Sequence, residues 1–212
     1  MISVKHRYRS DKWMNEVLLL ATKNKGKIQE LQQLLTPLGY NVESIHLLYP
    51  HIREPEENGT TFLENARLKA QYYMKYTHRP CIADDSGLCV EGLGGQPGIY
   101  SARYAGKHGD DAANNRKLVR EIKSLSIQQR RAEYICELVL LYPDGREILA
   151  RGQCAGIIQE TPAGTNGFGY DPYFYVPLLQ KTMAELSPVQ KNAISHRGQA
   201  LRHLIDQLIL DK

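Results

Sequence analysis

Three stretches of this chain bring together residue types that can do chemistry. In the first, Cys81 to Gly106 (CIADDSGLCVEGLGGQPGIYSARYAG), a short apolar run meets the acidic pair Asp84-Asp85 and then Ser86-Gly87. A strand that ends in carboxylates and turns on glycine sets negative side chains at a sheet edge beside free N–H groups, which suits a metal ion and a phosphate. Ser101-Ala102-Arg103-Tyr104 adds a guanidinium whose planar donors match phosphate oxygens or a carboxylate. The competing reading is an ordinary turn, because Asp, Ser and Gly are common turn residues.

In the second stretch, the apolar run Val17 to Ala21 is followed by Thr22-Lys23-Asn24-Lys25-Gly26-Lys27 and then by Ile28, Leu31, Leu35 and Leu38 at helical spacing. Strand, lysine-bearing loop and helix aim N–H groups, a partial positive dipole and ammonium groups at one point, where an anion fits. It is not a Walker A loop, since the upstream glycine is missing and Ile28 stands where Ser or Thr would follow Gly-Lys. In the third stretch, Gly164 to Phe174, glycines alternate with aromatics, and Phe168 and Tyr170 offer π-faces on which a base can stack. The alternative there is an aromatic turn packed on the core.

Around these stretches lie elements that would position them. A strand is expected near Asn41 to Ile45. Thr61-Phe62-Leu63-Glu64 has the form of a capping box opening an amphipathic helix through Phe62, Leu63, Ala66, Ala70 and Tyr73. Glu56 and Glu57, in the acidic loop before that helix, are either solvated charges or carboxylates that reach the Asp84-Asp85 edge to share a cation. Asp110 leads into a helix over Asn115 to Leu125 whose basic face reads as solvated. Tyr134 to Tyr142, a Pro143-Asp144-Gly145 turn and Glu147 to Ile158 form a hairpin, which excludes a purely parallel sheet. Ser187-Pro188-Val189-Gln190 is a second capping box with proline at the first helical position, and it leads toward Lys191 and His196-Arg197.

Composition narrows the class. The 212 residues are 42% hydrophobic, enough for one sizeable core without demanding two independent domains. The net charge of +4 arises from 27 basic and 23 acidic residues spread along the chain, so nucleic-acid binding is not indicated. Cys81, Cys89, Cys136 and Cys154 show neither C-x-x-C nor zinc spacing, as expected of buried, reduced thiols. There is no apolar run of membrane-spanning length and no secretory leader, so a cytoplasmic protein without membrane partners is expected. Residues 1–14 read as a poorly ordered N-terminal extension, with Met14 as an alternative start, and 15–212 as one bilobed domain.

Taken together, the motifs resemble the inosine/xanthosine triphosphate pyrophosphatase family. They are ATKNKGK (Ala21 to Lys27), TFLENARLKA (Thr61 to Ala70), ADDSGL (Ala83 to Leu88), LGGQPGIYSARYAG (Leu93 to Gly106), GFGYDPYF (Gly167 to Phe174) and KNAISHRGQAL (Lys191 to Leu201). The resemblance implies hydrolysis of non-canonical purine nucleoside triphosphates to monophosphate and pyrophosphate. It implies an elongated α/β fold with a mixed sheet, two lobes and a central substrate cleft, and a homodimer. By position, Thr22, Lys23, Asn24, Lys25, Gly26 and Lys27 match the triphosphate loop, and Asp85 the proton acceptor and magnesium ligand. Ser86 matches a substrate contact, and Glu57 the second carboxylate for Mg²⁺. Phe168, Gly169, Tyr170 and Asp171 match the base loop, with Lys191, His196 and Arg197 completing the substrate contacts. Two departures stand out: Lys23, where many members have glycine, and the N-terminal extension. A pyrimidine-directed sister enzyme and a basic nucleotide- or RNA-binding module are the alternatives.

Overall fold

The computed structural model describes residues 17–210, apart from the side chains of Lys25 and Glu30. The N-terminal extension expected over residues 1–14 lies outside the described residues. In chain order the elements are β1 (Val17–Leu20), α1 (Lys25–Leu35), β2 (Asn41–Ser44), α2 (Ile45–Leu48), α3 (Phe62–Thr77), β3 (Cys81–Val90) and α4 (Asp111–Ile122). There follow β4 (Arg131–Leu141), β5 (Glu147–Ile158), β6 (Phe174–Val176), β7 (Lys181–Thr182), α5 (Pro188–Ile194) and α6 (His196–Leu210). The strands form one sheet in the order β2-β1-β3-β4-β5-β6-β7. β1 pairs in parallel with β2 and β3, while β5-β6 and β6-β7 are antiparallel, so the sheet is mixed, as the hairpin required.

The chain divides into two compact units. The first takes in the described residues of Met1–Asp85, Glu137–Ala150 and Leu201–Lys212; the second is Ser86–Cys136 with Arg151–Ala200.

In the first unit, β1 is paired along both edges, and Leu18, Leu19 and Leu20 are fully buried, each contributing roughly 1.5–3 kcal/mol. Leu19 joins Ile45, Ala66, Ala70, Tyr73, Cys81, Val139 and Leu141 in one core. Because β2, β1 and β3 are parallel, their C-terminal ends converge, the usual place for ligands in an open α/β sheet. The Ser44 hydroxyl at the end of β2 donates to the Thr22 carbonyl at 2.9 Å and fastens the loop after β1. At the start of α3 the expected capping box forms only in part. The Thr61 hydroxyl accepts from the Glu64 N–H, but the Glu64 carboxylate reaches back to Thr60, whose N–H and hydroxyl each donate at 2.7 Å. Thr60 offers that carboxylate two donors where the Thr61 backbone offers one.

β3 departs from expectation. It does not turn at Ser86-Gly87 and Asp84-Asp85 are not at a sheet edge; the strand runs unbroken from Cys81 to Val90 and stands third in the sheet, paired on both sides. Leu88 and Val90, beyond the acidic pair, are fully buried in the core of the second unit, and that burial draws the extended backbone straight through.

That second core also gathers Tyr104, Leu118, Ile122, Tyr134, Ile158, Phe174 and Met183. Helix α4 starts at Asp111, four residues before the expected Asn115, because the Asp110 side chain caps it by accepting from the Ala113 N–H at 2.9 Å. Gly152 on β5 lies against α6 so closely that a Cβ would sit 2.0 Å from the His196 carbonyl oxygen. Only glycine allows this approach, and it fixes where the His196-Arg197 end of α6 begins.

Candidate active site

In the first unit, Asn24 caps α1, its Oδ1 accepting from the N–H groups of Gly26 (2.9 Å) and Lys27 (3.2 Å). The Thr22 hydroxyl accepts from the Asn24 N–H at 3.2 Å and holds the loop in place. Lys27 reaches back to β3, its Nζ 2.5 Å from Asp84 Oδ2, while Lys23 makes an exposed pair with Glu54 at 3.0 Å. The exposed pair contributes little to stability. Lys25 opens the helix, and its side chain lies outside the described residues. The loop expected to take an anion therefore stands next to the acidic pair, with one of its lysines already on a carboxylate.

Asp85 is held from α3. Asn65 Nδ2 donates to Asp85 Oδ2 at 3.2 Å, and Lys69 Nζ lies 3.5 Å from Asp85 Oδ1 and 3.1 Å from Glu57 Oε1. Glu56 is exposed; Glu57 is the one of the adjacent pair that meets Lys69. Burial pushes the Asp85 carboxyl above its ordinary pKa, with Lys69 opposing. For Lys69, only 12% exposed, burial works against the charged form, but Asp85, Asp84 and Glu57 outweigh it and hold the ammonium above its usual value. Asp85 is thus a stronger base than a solvated aspartate, which suits a group that takes a proton near neutral pH.

Among the described residues, no group of three or more His, Cys, Asp or Glu side chains is arranged around a metal position. Glu57 and Asp85 nevertheless share one cation, the Lys69 ammonium, within 3.5 Å. One or two carboxylates, completed by water and phosphate oxygens, are the donor set a hard divalent ion such as Mg²⁺ takes when it binds with a nucleotide. The residues present fit such an ion.

Asn65 and Lys69 were not among the expected site residues, although the sequence carried a signal for them. They fall on the buried stripe of α3 with Phe62, Ala66, Ala70 and Tyr73, and polar residues four apart on an apolar helix face need partners there.

In the second unit, Arg197 is buried at the start of α6, with Nη2 3.3 Å from the Ser86 hydroxyl. His196, also buried, stacks on Tyr134 with centroids 4.7 Å apart and the planes 13° from parallel. The Phe168 ring is 46% exposed, with Lys191 Nζ 4.9 Å and Arg197 Cζ 5.8 Å from its centroid. Arg103 stays with its neighbour, its guanidinium 5.3 Å from the centre of the Tyr100 ring.

Asp171 organises this region. Its buried carboxylate takes the Phe168 N–H at 2.9 Å, Lys191 Nζ at 2.5 Å and, more weakly, the Tyr134 hydroxyl at 3.4 Å. Gly167 makes the turn possible: its φ is +78°, and a Cβ there would meet Asp171 Oδ2 at 2.1 Å. Tyr170 does not present its ring as expected. It is 5% exposed in the core, with its hydroxyl on the Ser101 carbonyl at 2.8 Å, so Phe168 is the ring of this loop that stays open. The Phe168 N–H is taken by Asp171, and the Gly169 N–H by Asp111 Oδ2 at 2.8 Å. Lys191 and Arg197 supply side-chain donors near the ring.

An exposed ring rimmed by two cations and a phosphate-type loop beside buried carboxylates define a class of protein that handles nucleotides. The chain belongs to the Ham1 family, whose model matches residues 18–207. It is 47% identical over 193 residues to a Bacillus anthracis protein named dITP/XTP pyrophosphatase, covering 90% of this chain and 95% of that one. A protein of the same name from an Exiguobacterium species is 49% identical over 192 residues, covering 91% and 96%. Among solved structures, the Staphylococcus aureus Ham1 protein matches with a TM-score of 0.85 at 43% identity, over 93% of this chain and all of that one. The nucleoside-triphosphatase or dITP/XTP pyrophosphatase of Mycobacterium abscessus matches with a TM-score of 0.76 at 40% identity, over 91% and 99%.

Proposed function

We infer that this chain is a nucleoside triphosphate pyrophosphatase that hydrolyses ITP, dITP and XTP to the monophosphate and pyrophosphate. The observation that carries the reading is Asp85 on β3, buried, raised in proton affinity and facing Lys69 and Glu57. Relatives named for this reaction, at about half identity over nearly the whole chain, support the same chemistry and substrate class.

In this mechanism the polyphosphate engages Thr22 to Lys27, and Asp85 orients a water molecule toward the α-phosphorus. As the water oxygen bonds to phosphorus, its proton passes to the Asp85 carboxylate, the bond from the α-phosphorus to the bridging oxygen breaks, and pyrophosphate leaves. Glu57 and Asp85 would hold Mg²⁺, which offsets the negative charge of the phosphates. Lys69 keeps the two carboxylates together and lowers their mutual repulsion.

The purine stacks on Phe168, and Lys191 and Arg197 at its rim donate to the C6 oxygen. Adenine carries an amino donor at that position and would leave a buried donor unpaired, and polar sites of this kind discriminate by roughly 10⁴-fold or more. Gly169, Tyr170 and Asp171 shape the loop around the ring, and Ser86 and His196 steady Arg197 and Tyr134. Residues 15–212 act as one catalytic domain, since the chain passes between its two units four times. A homodimer in the cytoplasm completes the proposal; among the described residues no helix is long and apolar enough to cross a membrane.

The decisive assay is pyrophosphate release from ITP, XTP, GTP, dTTP and UTP, with and without magnesium. Release from ITP and XTP that requires magnesium is the expected result. Preference for dTTP or UTP would move the chain to a pyrimidine-directed activity, and no release from any of the five would end the enzyme reading. Phe168→Ala should raise KM for ITP by about tenfold, as loss of one stacked base predicts. An unchanged KM would remove that ring from the base site.

A further inference from the structure

We propose that Asp111 and Asn115, on the first two turns of α4, form a clip that sets the position of the base-binding loop. They act as positioning residues for the purine without touching it. The proposal rests on the reading of Phe168 as the ring that stacks the base. Gly169, the next residue, has both of its backbone polar groups tied to α4: its N–H donates to Asp111 Oδ2 at 2.8 Å, and its carbonyl accepts from Asn115 Nδ2 at 2.9 Å. Residues four apart on a helix share a face, so one short segment of α4 grips one residue of the loop from two sides.

The clip is anchored well enough to transmit position. Leu118 and Ile122 of α4 are fully buried in the second core, and the buried Asn114 accepts from the Ala105 N–H at 2.7 Å and donates to the Ala102 carbonyl at 3.3 Å. On its inner side the loop is held by Asp171, which takes the Phe168 N–H at 2.9 Å; at the outer edge Phe168 is half exposed and Gly169 sits at φ +62°. Glycine at such an angle has wide backbone freedom, and fixing it in advance removes an ordering cost from ligand binding. The orientation of the Asn115 amide points the same way. Its Oδ1 is buried with no hydrogen-bond partner, while its donor end faces the loop. Turning the amide over would set Oδ1 against the Gly169 carbonyl, so a buried acceptor is left unpaired to keep the hold on the loop.

The test compares wild type with Asp111→Ala, Asn115→Ala, Asp111→Asn, Asn115→Asp and, as a reference, Phe168→Ala. It measures kcat and KM for ITP and inhibition by IMP and by tripolyphosphate, which lacks a base. Loss of either tie should raise KM and the IMP inhibition constant about tenfold, the scale of one hydrogen bond, with kcat and tripolyphosphate inhibition held near wild type. Asp111→Asn keeps an acceptor oxygen and should restore wild-type KM. Asn115→Asp is isosteric and replaces the donor by an acceptor, so it carries the test if the alanine variants fold poorly. Unchanged KM and IMP inhibition in the clip variants, with both raised in Phe168→Ala, overturns the clip and leaves the base site standing. No change in Phe168→Ala overturns both. Weakened tripolyphosphate inhibition in the clip variants, or a fall in kcat alone, would also overturn it, because a positioning role for the base moves neither.

Discussion

Asp85→Asn is expected to lower turnover of ITP by roughly 10²- to 10⁴-fold, the range for loss of a positioned general base, while nucleotide affinity changes little. Asparagine keeps the shape of the side chain and can still accept from Asn65, which now donates to Asp85 Oδ2 at 3.2 Å, so β3 and α3 should stay in register. The substitution removes the proton acceptor and one of the two charges that face Lys69 at 3.5 Å or less, and Glu57 remains to pair with the ammonium. Pyrophosphate release checks the rate, and calorimetric titration with a non-hydrolysable ITP analogue checks binding. Near-normal turnover would remove Asp85 from the mechanism.

Asp171→Ala should act on stability as well as on activity. The carboxylate is almost wholly buried and holds Lys191 at 2.5 Å and the Phe168 N–H at 2.9 Å. Its removal leaves an ammonium and an amide without their acceptor in a dry site, and breaking a buried pair in this way costs about 3–5 kcal/mol. For a chain of this length that corresponds to a fall in Tm of about 10 °C. The loop carrying Phe168 loses its inner fastening at the same time, so the folded fraction should show a higher KM for ITP. Differential scanning calorimetry and steady-state kinetics on the same sample separate the two effects. Asp171→Asn, which can still accept from the Phe168 N–H, should lie between alanine and wild type. A Tm within about 2 °C of wild type in the alanine variant would show that Lys191 finds another partner at little cost.

Much of the fold follows from local rules that act within a few residues. The apolar run at Val17 to Ala21 became a strand buried on both faces, the Pro143-Asp144-Gly145 turn closed a hairpin, and Ser187 with Gln190 formed the expected reciprocal cap. Capping chemistry was legible but its details were not: Glu64 chose the two donors of Thr60 over the backbone of Thr61. The course of β3 departs from its local signal for a related reason. Asp-Asp-Ser-Gly carries a strong local turn preference, and burial of Leu88 and Val90 with pairing on both edges overrides it. The burial of Tyr170 is not legible in the sequence, because alternating glycine and aromatic residues do not say which ring faces the core.

By itself, the sequence determined that this is a mixed α/β protein with a lysine-bearing loop, an acidic strand and a glycine-aromatic loop, because each is written in contiguous residues whose spacing states its own geometry. Only the tertiary structure decided that Asp85 is served by Asn65 and Lys69, that Lys27 rests on Asp84, and that Asp171 and α4 between them hold the loop of Phe168. Apart from Asp171 and Phe168, three residues from each other, those partners lie 16 to 57 residues apart in the chain. Burial, which removes water and strengthens every remaining charge and hydrogen bond, selects them only once the chain has packed.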